Sequence, residues 1–158
     1  MICLQEMTET EFSEYKRFLI EDYAQDASRN YRIPLEEARA NSAKQINGMF
    51  SQGLSTPNQF LYTIQLSEKS TEVEIGYLWL DINEMKQRCT LCDIYLHKEF
   101  RDKGWGRKTL EVFEKQMAER GIRKIRLHVF ANNAVARALY EKLGYEVTGL
   151  NLEKWLQE

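Results

Sequence analysis

The chain has 158 residues, 43% of them hydrophobic and 29% charged, which is enough apolar material for one packed core and too much for a disordered chain. Lysine and arginine number 22 against 24 acidic residues, so the net charge of −2 gives no reason to expect nucleic acid or an anionic membrane as a partner. No apolar run long enough to span a bilayer and no basic-then-apolar leader stands out, and the expected address is the cytoplasm.

The three cysteines, Cys3, Cys89 and Cys92, cannot all pair within one chain. Cys89-Thr90-Leu91-Cys92 has the spacing of a redox or zinc element, yet no second Cys or His pair completes a site. The motif also lies in a strand-like stretch, where residues three apart point to opposite faces. The expectation is reduced core and edge cysteines, and no metal.

Taken in order, Met1 to Met7 reads as a short strand. Thr8 resembles an N-cap with Glu11 as the reciprocal partner of a capping box, and Phe12, Tyr15, Phe18, Leu19 and Tyr23 follow as an apolar helical face. Pro34 and Glu36 open a second helix running to about Phe50. Phe60 to Leu66 and Val73 to Ile82 read as the two strands of a hairpin, with a polar loop from Asn83 to Arg88 leading into a strand that ends at Leu96. After a glycine-punctuated turn, Leu110, Phe113 and Met117 sit at helical spacing. Lys124 to Phe130 reads as another strand, and a helix begins at Asn133 with Gly144 as its C′ residue. Tyr145 to Gly149 and Leu152 to Leu156 are expected to supply a last strand or pair of strands. No internal repeat or linker interrupts this order, so residues 1–158 are read as one α+β domain with a mixed sheet.

The turn itself carries the chemistry. It runs Arg101-Asp102-Lys103-Gly104-Trp105-Gly106-Arg107-Lys108 between a strand and a helix. The first turn of a helix leaves backbone N–H groups without intrahelical partners, and glycines let a ligand approach the main chain closely. Converging N–H groups within a basic field suit a pyrophosphate. A Walker loop is excluded because no Gly-Lys-Ser/Thr follows, and the dinucleotide fingerprint lacks its third glycine. Taken alone, the turn could equally be a tight loop with a solvated basic face.

Arg101-x-x-Gly104-x-Gly106 resembles the acyl-CoA pyrophosphate motif of the GNAT superfamily of N-acyltransferases. The run Asn133-x-x-Ala136-x-x-Leu139-Tyr140-Glu141-Lys142-x-Gly144-Tyr145 is similar to that family's last signature, in the family's order. The specific likeness covers about residues 91–148. It implies a three-layer α/β/α sandwich around a mixed, mostly antiparallel sheet of about six to seven strands. The cofactor-binding half would span about residues 84–150 and the acceptor-side helices about 8–59.

The resemblance also implies roles. Acetyl-CoA would be the acyl donor, its pantetheine arm paired with the backbone of Ile94, Tyr95 and Leu96 and its diphosphate held by Arg101, Asp102, Lys103, Gly104, Trp105, Gly106, Arg107 and Lys108. Asn133 matches the position that hydrogen-bonds the pantetheine, and Tyr140 the tyrosine that protonates the leaving sulfur. A phenol of pKa about 10 is protonated at neutral pH and close to a thiol in acidity; as a residue, Tyr140 would otherwise be a core aromatic. For the general base, Asp93, His128 and a water relay are all open. His97 is expected at the surface near the loop, Asp102 to point to solvent, and Trp105 to pack under the loop. Glu21, Asp22, Tyr23, Asp26, Tyr31, Glu36 and Glu37 would suit a cationic amine if they line a pocket, or only confer solubility if they do not. The function expected is transfer of an acetyl group directly to a primary amine, of a small molecule or a peptide, in a ternary complex. The alternative is a non-catalytic acyl-CoA-binding sensor. A homodimer is compatible with either.

Overall fold

The strands and helices of the computed structural model, which describes residues 1–156, follow the expected order as far as the last helix. They are β1 (Ile2–Glu6), α1 (Glu9–Tyr31), α2 (Leu35–Met49), β2 (Gln59–Glu68), β3 (Thr71–Asn83), β4 (Arg88–Leu96), α3 (Trp105–Glu119), β5 (Lys124–Leu127) and α4 (Ala134–Lys142). They fall into two compact units, one from Met1 to His128 holding β1 to β5 and one from Val129 onward holding α4. Gln157 and Glu158, the end of the expected 1–158 domain, lie outside the described residues.

Local sequence accounts for the helix starts. Thr8 Oγ1 accepts from Glu11 N at 3.2 Å while Thr8 N donates to Glu11 Oε2 at 3.1 Å, a complete capping box. The stripe behind it buries Phe12, Tyr15, Leu19 and Ala24. Pro34 is the N-cap residue of α2, whose buried Ser42 donates to Ile20 O at 2.7 Å and so ties the second helix to the first. Lys69 and Ser70 both take positive φ, 46° and 72°, as the two-residue turn between β2 and β3 requires.

The sheet runs in sequence order, β1-β2-β3-β4-β5. The first three pairings are antiparallel, and the β4–β5 pairing, reached through the α3 crossover, is parallel. This is an α+β fold with a mixed sheet. On one face Met7, Leu61 and Trp79 pack with Phe12, Tyr15 and Leu19 of α1, Ile46 of α2 and Phe50 beyond it. Phe12 and Phe50 meet edge-on at 5.3 Å, and Trp79 lies 4.8 Å from Phe50 while donating through Nε1 to Gln59 Oε1 at 2.6 Å. Leu78, Leu80 and Ile82 alternate with Trp79, so they face the other way, and they too are buried. The buried stripe of α3 is Thr109, Leu110, Phe113 and Met117, and α3 packs beside β1.

Two expectations about strands are corrected. Among the described residues the sheet has five strands rather than about six to seven, and residues 145–156 carry no strand assignment. A strand exists through its hydrogen-bonded partner, and alternating apolar residues supply only half of it. The strand expected over Lys124 to Phe130 stops at Leu127, where its pairing with β4 stops. Among the described residues, no helix is long and apolar enough to cross a membrane.

Candidate active site

β4 is held on both sides at its start and on one side at its end. Its pairing with β5 runs from Arg88↔Lys124 to Leu91↔Leu127, whereas its pairing with β3 continues to Gly76↔Leu96. Residues 92–96 therefore have one backbone edge that no strand of the first unit pairs, and the fork begins where the β4–β5 pairing ends. A bulge marks the start of the fork. Trp79 pairs with Asp93 and Leu80 with Leu91, which leaves Cys92 as an extra residue. A bulge bends its strand and increases local twist, and this one sits where the β4–β5 pairing ends. Cys89 is buried and Cys92 half-buried, both are free thiols, and burial pushes both up to about 12.

At the fork, Asp93 receives a 2.6 Å hydrogen bond at Oδ2 from the hydroxyl of Tyr15, a fully buried residue of α1. Tyr23, two turns further along α1, donates to the carbonyl of the bulged Cys92 at 3.1 Å. Burial, reinforced by the charges of Asp22 and Asp26, pushes the Asp93 carboxyl up to about 7, against the opposing pull of the Tyr15 hydrogen bond. Burial and the neighbouring Asp93 raise the Tyr15 phenol well above its ordinary value, so it stays a donor. Asp22 is itself raised, by partial burial and then by Asp26, with Arg101 pulling the other way.

Beside this pair lies a half-buried aromatic cluster. Tyr95 of β4 stacks with Tyr77 of β3 at 6.2 Å, and Phe18 of α1 lies 4.5 Å from Tyr95 and 5.8 Å from Tyr77. His97 meets both tyrosines edge-on, at 5.2 and 5.8 Å, and its Nε2 lies 3.1 Å from Glu74 Oε1. His97 is thus half-buried in this cluster rather than at the surface near the loop. The bond from its backbone N–H to the Ile75 carbonyl, 2.8 Å, fixes it beside Glu74.

The glycine-rich turn enters α3 without a side-chain cap. Gly104 is the N-cap residue at φ 82°, and Asp102 also takes positive φ, 60°. A Cβ built on Gly104 would meet nothing within 4 Å, so the glycine serves backbone angle and leaves open room above the helix start. Much of the expected basic field is already engaged. Arg101 Nε donates to Leu96 O at 2.8 Å with its guanidinium 5.0 Å from the Tyr95 ring centre. Lys103 Nζ donates to Glu99 O at 2.7 Å, Arg107 pairs with Glu111 at 3.0 Å, and Lys108 Nζ sits 4.7 Å over Trp105. The anion-binding capacity of this turn is therefore chiefly that of its main-chain N–H groups. Asp102 is exposed, as expected. Trp105 opens α3 and lines a shallow groove with Met1, Ile2, Lys108 and Val112.

His128 lies just past the end of β5 and is exposed. The first unit thus carries Asp93, Ile94, Tyr95 and Leu96 on the diverging strand, the turn from Arg101 to Lys108, and His128. Asn133 and Tyr140 belong to the second unit. There Asn133 Oδ1 accepts from Ala136 N at 3.3 Å, capping α4. Gly144 at φ 92° ends the helix, with Tyr145 N donating to Tyr140 O at 3.0 Å and the two rings edge-on at 5.6 Å. Sequence reasoning missed Tyr15 as a site residue, because a tyrosine on an apolar helical stripe reads as core. The signal available was its hydroxyl, which a buried phenol must give to some acceptor.

Comparison with known proteins gives the family and agrees with the fold. The profile of the acetyltransferase (GNAT) family matches residues 16–145. The chain is 31% identical over 157 residues to the uncharacterized N-acetyltransferase YycN of Bacillus subtilis (strain 168), covering 98% of this chain and 99% of YycN. The crystal structure of YycN superposes with a TM-score of 0.91 over the whole of both chains. At 20% identity, the PaiA N-acetyltransferase of Thermoplasma acidophilum, solved with coenzyme A, shares the fold at a TM-score of 0.68 over 96% of this chain and 93% of its own. The spermidine N-acetyltransferase of Vibrio cholerae, solved with CoA and spermine, does so at 0.69 and 16% identity, over 99% and 88%. The chain belongs to the GNAT family and is an acetyltransferase.

Proposed function

We propose that this acetyltransferase moves an acetyl group from acetyl-CoA directly to a primary amine in a ternary complex, with Asp93 as general base. The observation that carries the reading is the Asp93 carboxyl at the strand fork, raised to about 7 and held by Tyr15. A base is most effective when its pKa lies near the working pH. The Tyr15 hydroxyl on its Oδ2 fixes the Asp93 carboxyl at the end of the β4–β5 pairing, which is the ground for choosing it as the base.

In this scheme the unpaired edge of residues 92–96 receives the pantetheine amides, chiefly at Ile94, Tyr95 and Leu96, and a backbone N–H there polarises the thioester carbonyl. The uncapped start of α3 takes the diphosphate through main-chain N–H groups of the 101–108 turn. Asn133 adds a pantetheine contact. The amine nitrogen attacks the thioester carbon as Asp93 takes its proton, the carbon–sulfur bond breaks, and Tyr140 gives its proton to the departing thiolate. The CoA complexes of the PaiA and Vibrio enzymes support the donor. A cationic acceptor is supported by the half-buried Phe18, Tyr77 and Tyr95 rings beside Glu74, Asp22 and Asp26, and by the spermine in the Vibrio enzyme. On this reading residues about 8–59 form the acceptor side and about 84–150 the cofactor side of one catalytic domain.

The test is titration with acetyl-CoA followed by a thiol-release assay over spermine, a lysine peptide, a peptide with a free α-amine and an aminoglycoside. Binding with amine-dependent thiol release for one class supports the proposal. Hydrolysis of acetyl-CoA at the same rate without amine overturns it.

A further inference from the structure

We propose that the Arg101 guanidinium holds the place of the acceptor's cation until the donor arrives. Acetyl-CoA then draws it off Tyr95 and onto the diphosphate, and the acceptor face takes the amine. Arg101 is a positioning residue in this scheme, which rests on the donor edge and acceptor face proposed above.

Arg101 is fastened where those two faces meet. The His97 N–H donates to the Ile75 carbonyl of β3 at 2.8 Å, so the N–H and C=O of Leu96, one residue earlier, point to the other side of β4. That side is the edge that no strand of the first unit pairs. Arg101 Nε donates to this Leu96 carbonyl at 2.8 Å and so occupies an acceptor that a pantetheine amide N–H would use. Its second contact belongs to the acceptor side. The guanidinium lies 5.0 Å from the centre of the Tyr95 ring, which Phe18 and His97 flank at 4.5 and 5.8 Å. Burial and then Asp26 raise the Asp22 carboxyl of α1, and the charge of Arg101 pulls it back. A cation over an aromatic ring, within the field of a carboxylate, is how a protonated amine would be held there. Arg101 and the amine therefore compete for one seat.

What holds Arg101 is weak against a diphosphate. Arg107 is paired with the Glu111 carboxylate, whereas Arg101 is held by a neutral carbonyl and a ring. A guanidinium prefers phosphate oxygens to a carbonyl, because both the charge and the forked geometry match. Arg101 is exposed and opens the turn that ends at Gly104, the uncapped start of α3, where an added Cβ would meet nothing within 4 Å. Its departure would free the Leu96 carbonyl for the pantetheine and the Tyr95 ring for the amine together. The two ligands are thereby coupled.

Titration of the full chain with CoA, which carries no acetyl group to transfer, and with the amine acetylated fastest in the panel reads that coupling. In the wild type CoA should tighten the amine about tenfold or more, and the amine should tighten CoA by the same factor. Arg101→Met keeps a long stem and removes the charge. It should bind the amine without CoA about as tightly as the CoA-bound wild type does, with the coupling gone and CoA weakened. Arg101→Lys should restore part of the coupling. A side chain that only braces the turn would lower stability and CoA affinity on substitution and leave the coupling intact. That result overturns the proposal, as does a wild type in which neither ligand affects the other. A second arm follows the Arg101 Nε–H resonance, assigned by its loss in Arg101→Met, which should move when CoA saturates the protein. A resonance that bound CoA leaves unmoved overturns the proposal. CoA that fails to bind would remove the donor reading as well, whereas amine turnover without coupling removes only the role of Arg101.

Discussion

Asp93 faces opposing demands from folding and from proton transfer. Its carboxyl is raised from 3.8 to about 7, chiefly by burial and then by Asp22 and Asp26. A carboxyl raised on folding stabilises the native state fully below its unfolded value, and that contribution is lost as pH climbs towards 7. Asp93→Asn keeps an oxygen for the Tyr15 hydroxyl and removes the charge. It should therefore melt above the wild type at pH 8 and level with it near pH 4, while turnover falls by about 10²-fold or more. Calorimetry and steady-state rates read the two effects, and a variant that is both less stable at pH 8 and fully active would remove Asp93 as the base. Tyr15 acts through Asp93. Its hydrogen bond favours the ionised carboxylate, so Tyr15→Phe should move the limb of the kcat/KM profile near neutrality to higher pH, with the KM for acetyl-CoA unchanged. A uniform loss of rate with no displaced limb would mean that Tyr15 only fills the core.

At the scale of the strand, the fork depends on how closely β3 and β4 approach. A Cβ at Gly76 would lie 1.9 Å from Tyr95 O, a backbone atom that cannot step aside without moving the strand carrying Asp93 and Tyr95. Gly76→Ala should cost roughly 1–3 kcal/mol as an overpacking change and weaken acetyl-CoA binding with it. An alanine variant with wild-type melting and wild-type affinity would show that the edge of residues 92–96 adjusts freely. Gly104 is the opposite case, because the space around it is open and only its φ of 82° is demanding. Gly104→Val should cost about 1–2 kcal/mol of backbone strain and abolish acetyl-CoA binding, since the branched side chain stands where the diphosphate would meet the helix start. Unchanged affinity in titration would exclude the main-chain cradle.

Across the whole molecule, legibility followed distance along the chain. The capping box at Thr8 and Glu11, the helix stripes and the glycine turn before α3 were readable because their partners lie within a few residues. The Tyr15–Asp93 pair, the Cys92 bulge and the His97–Glu74 contact were not, because each depends on strand register, which no local pattern encodes. Tyr145 to Gly149 and Leu152 to Leu156, expected as a last strand or pair of strands, carry no strand assignment, since alternation reports the face a strand would bury and is silent on which edge it joins.

The same separation bears on Tyr140, whose likeness to a family motif was visible while its surroundings were not. Tyr140 lies on α4 in the second unit, half-buried and edge-on to Tyr145. Tyr140→Phe keeps the ring, the helix and the contact with Tyr145, and removes only the hydroxyl. If that hydroxyl protonates the leaving sulfur, kcat should fall by about 10²-fold or more while acetyl-CoA affinity and melting temperature hold. The loss should also be smaller for an acyl donor whose thiol is more acidic, because a better leaving group needs less help from an acid. Equal losses for both donors would assign Tyr140 to positioning of α4, and an unchanged kcat would return it to packing.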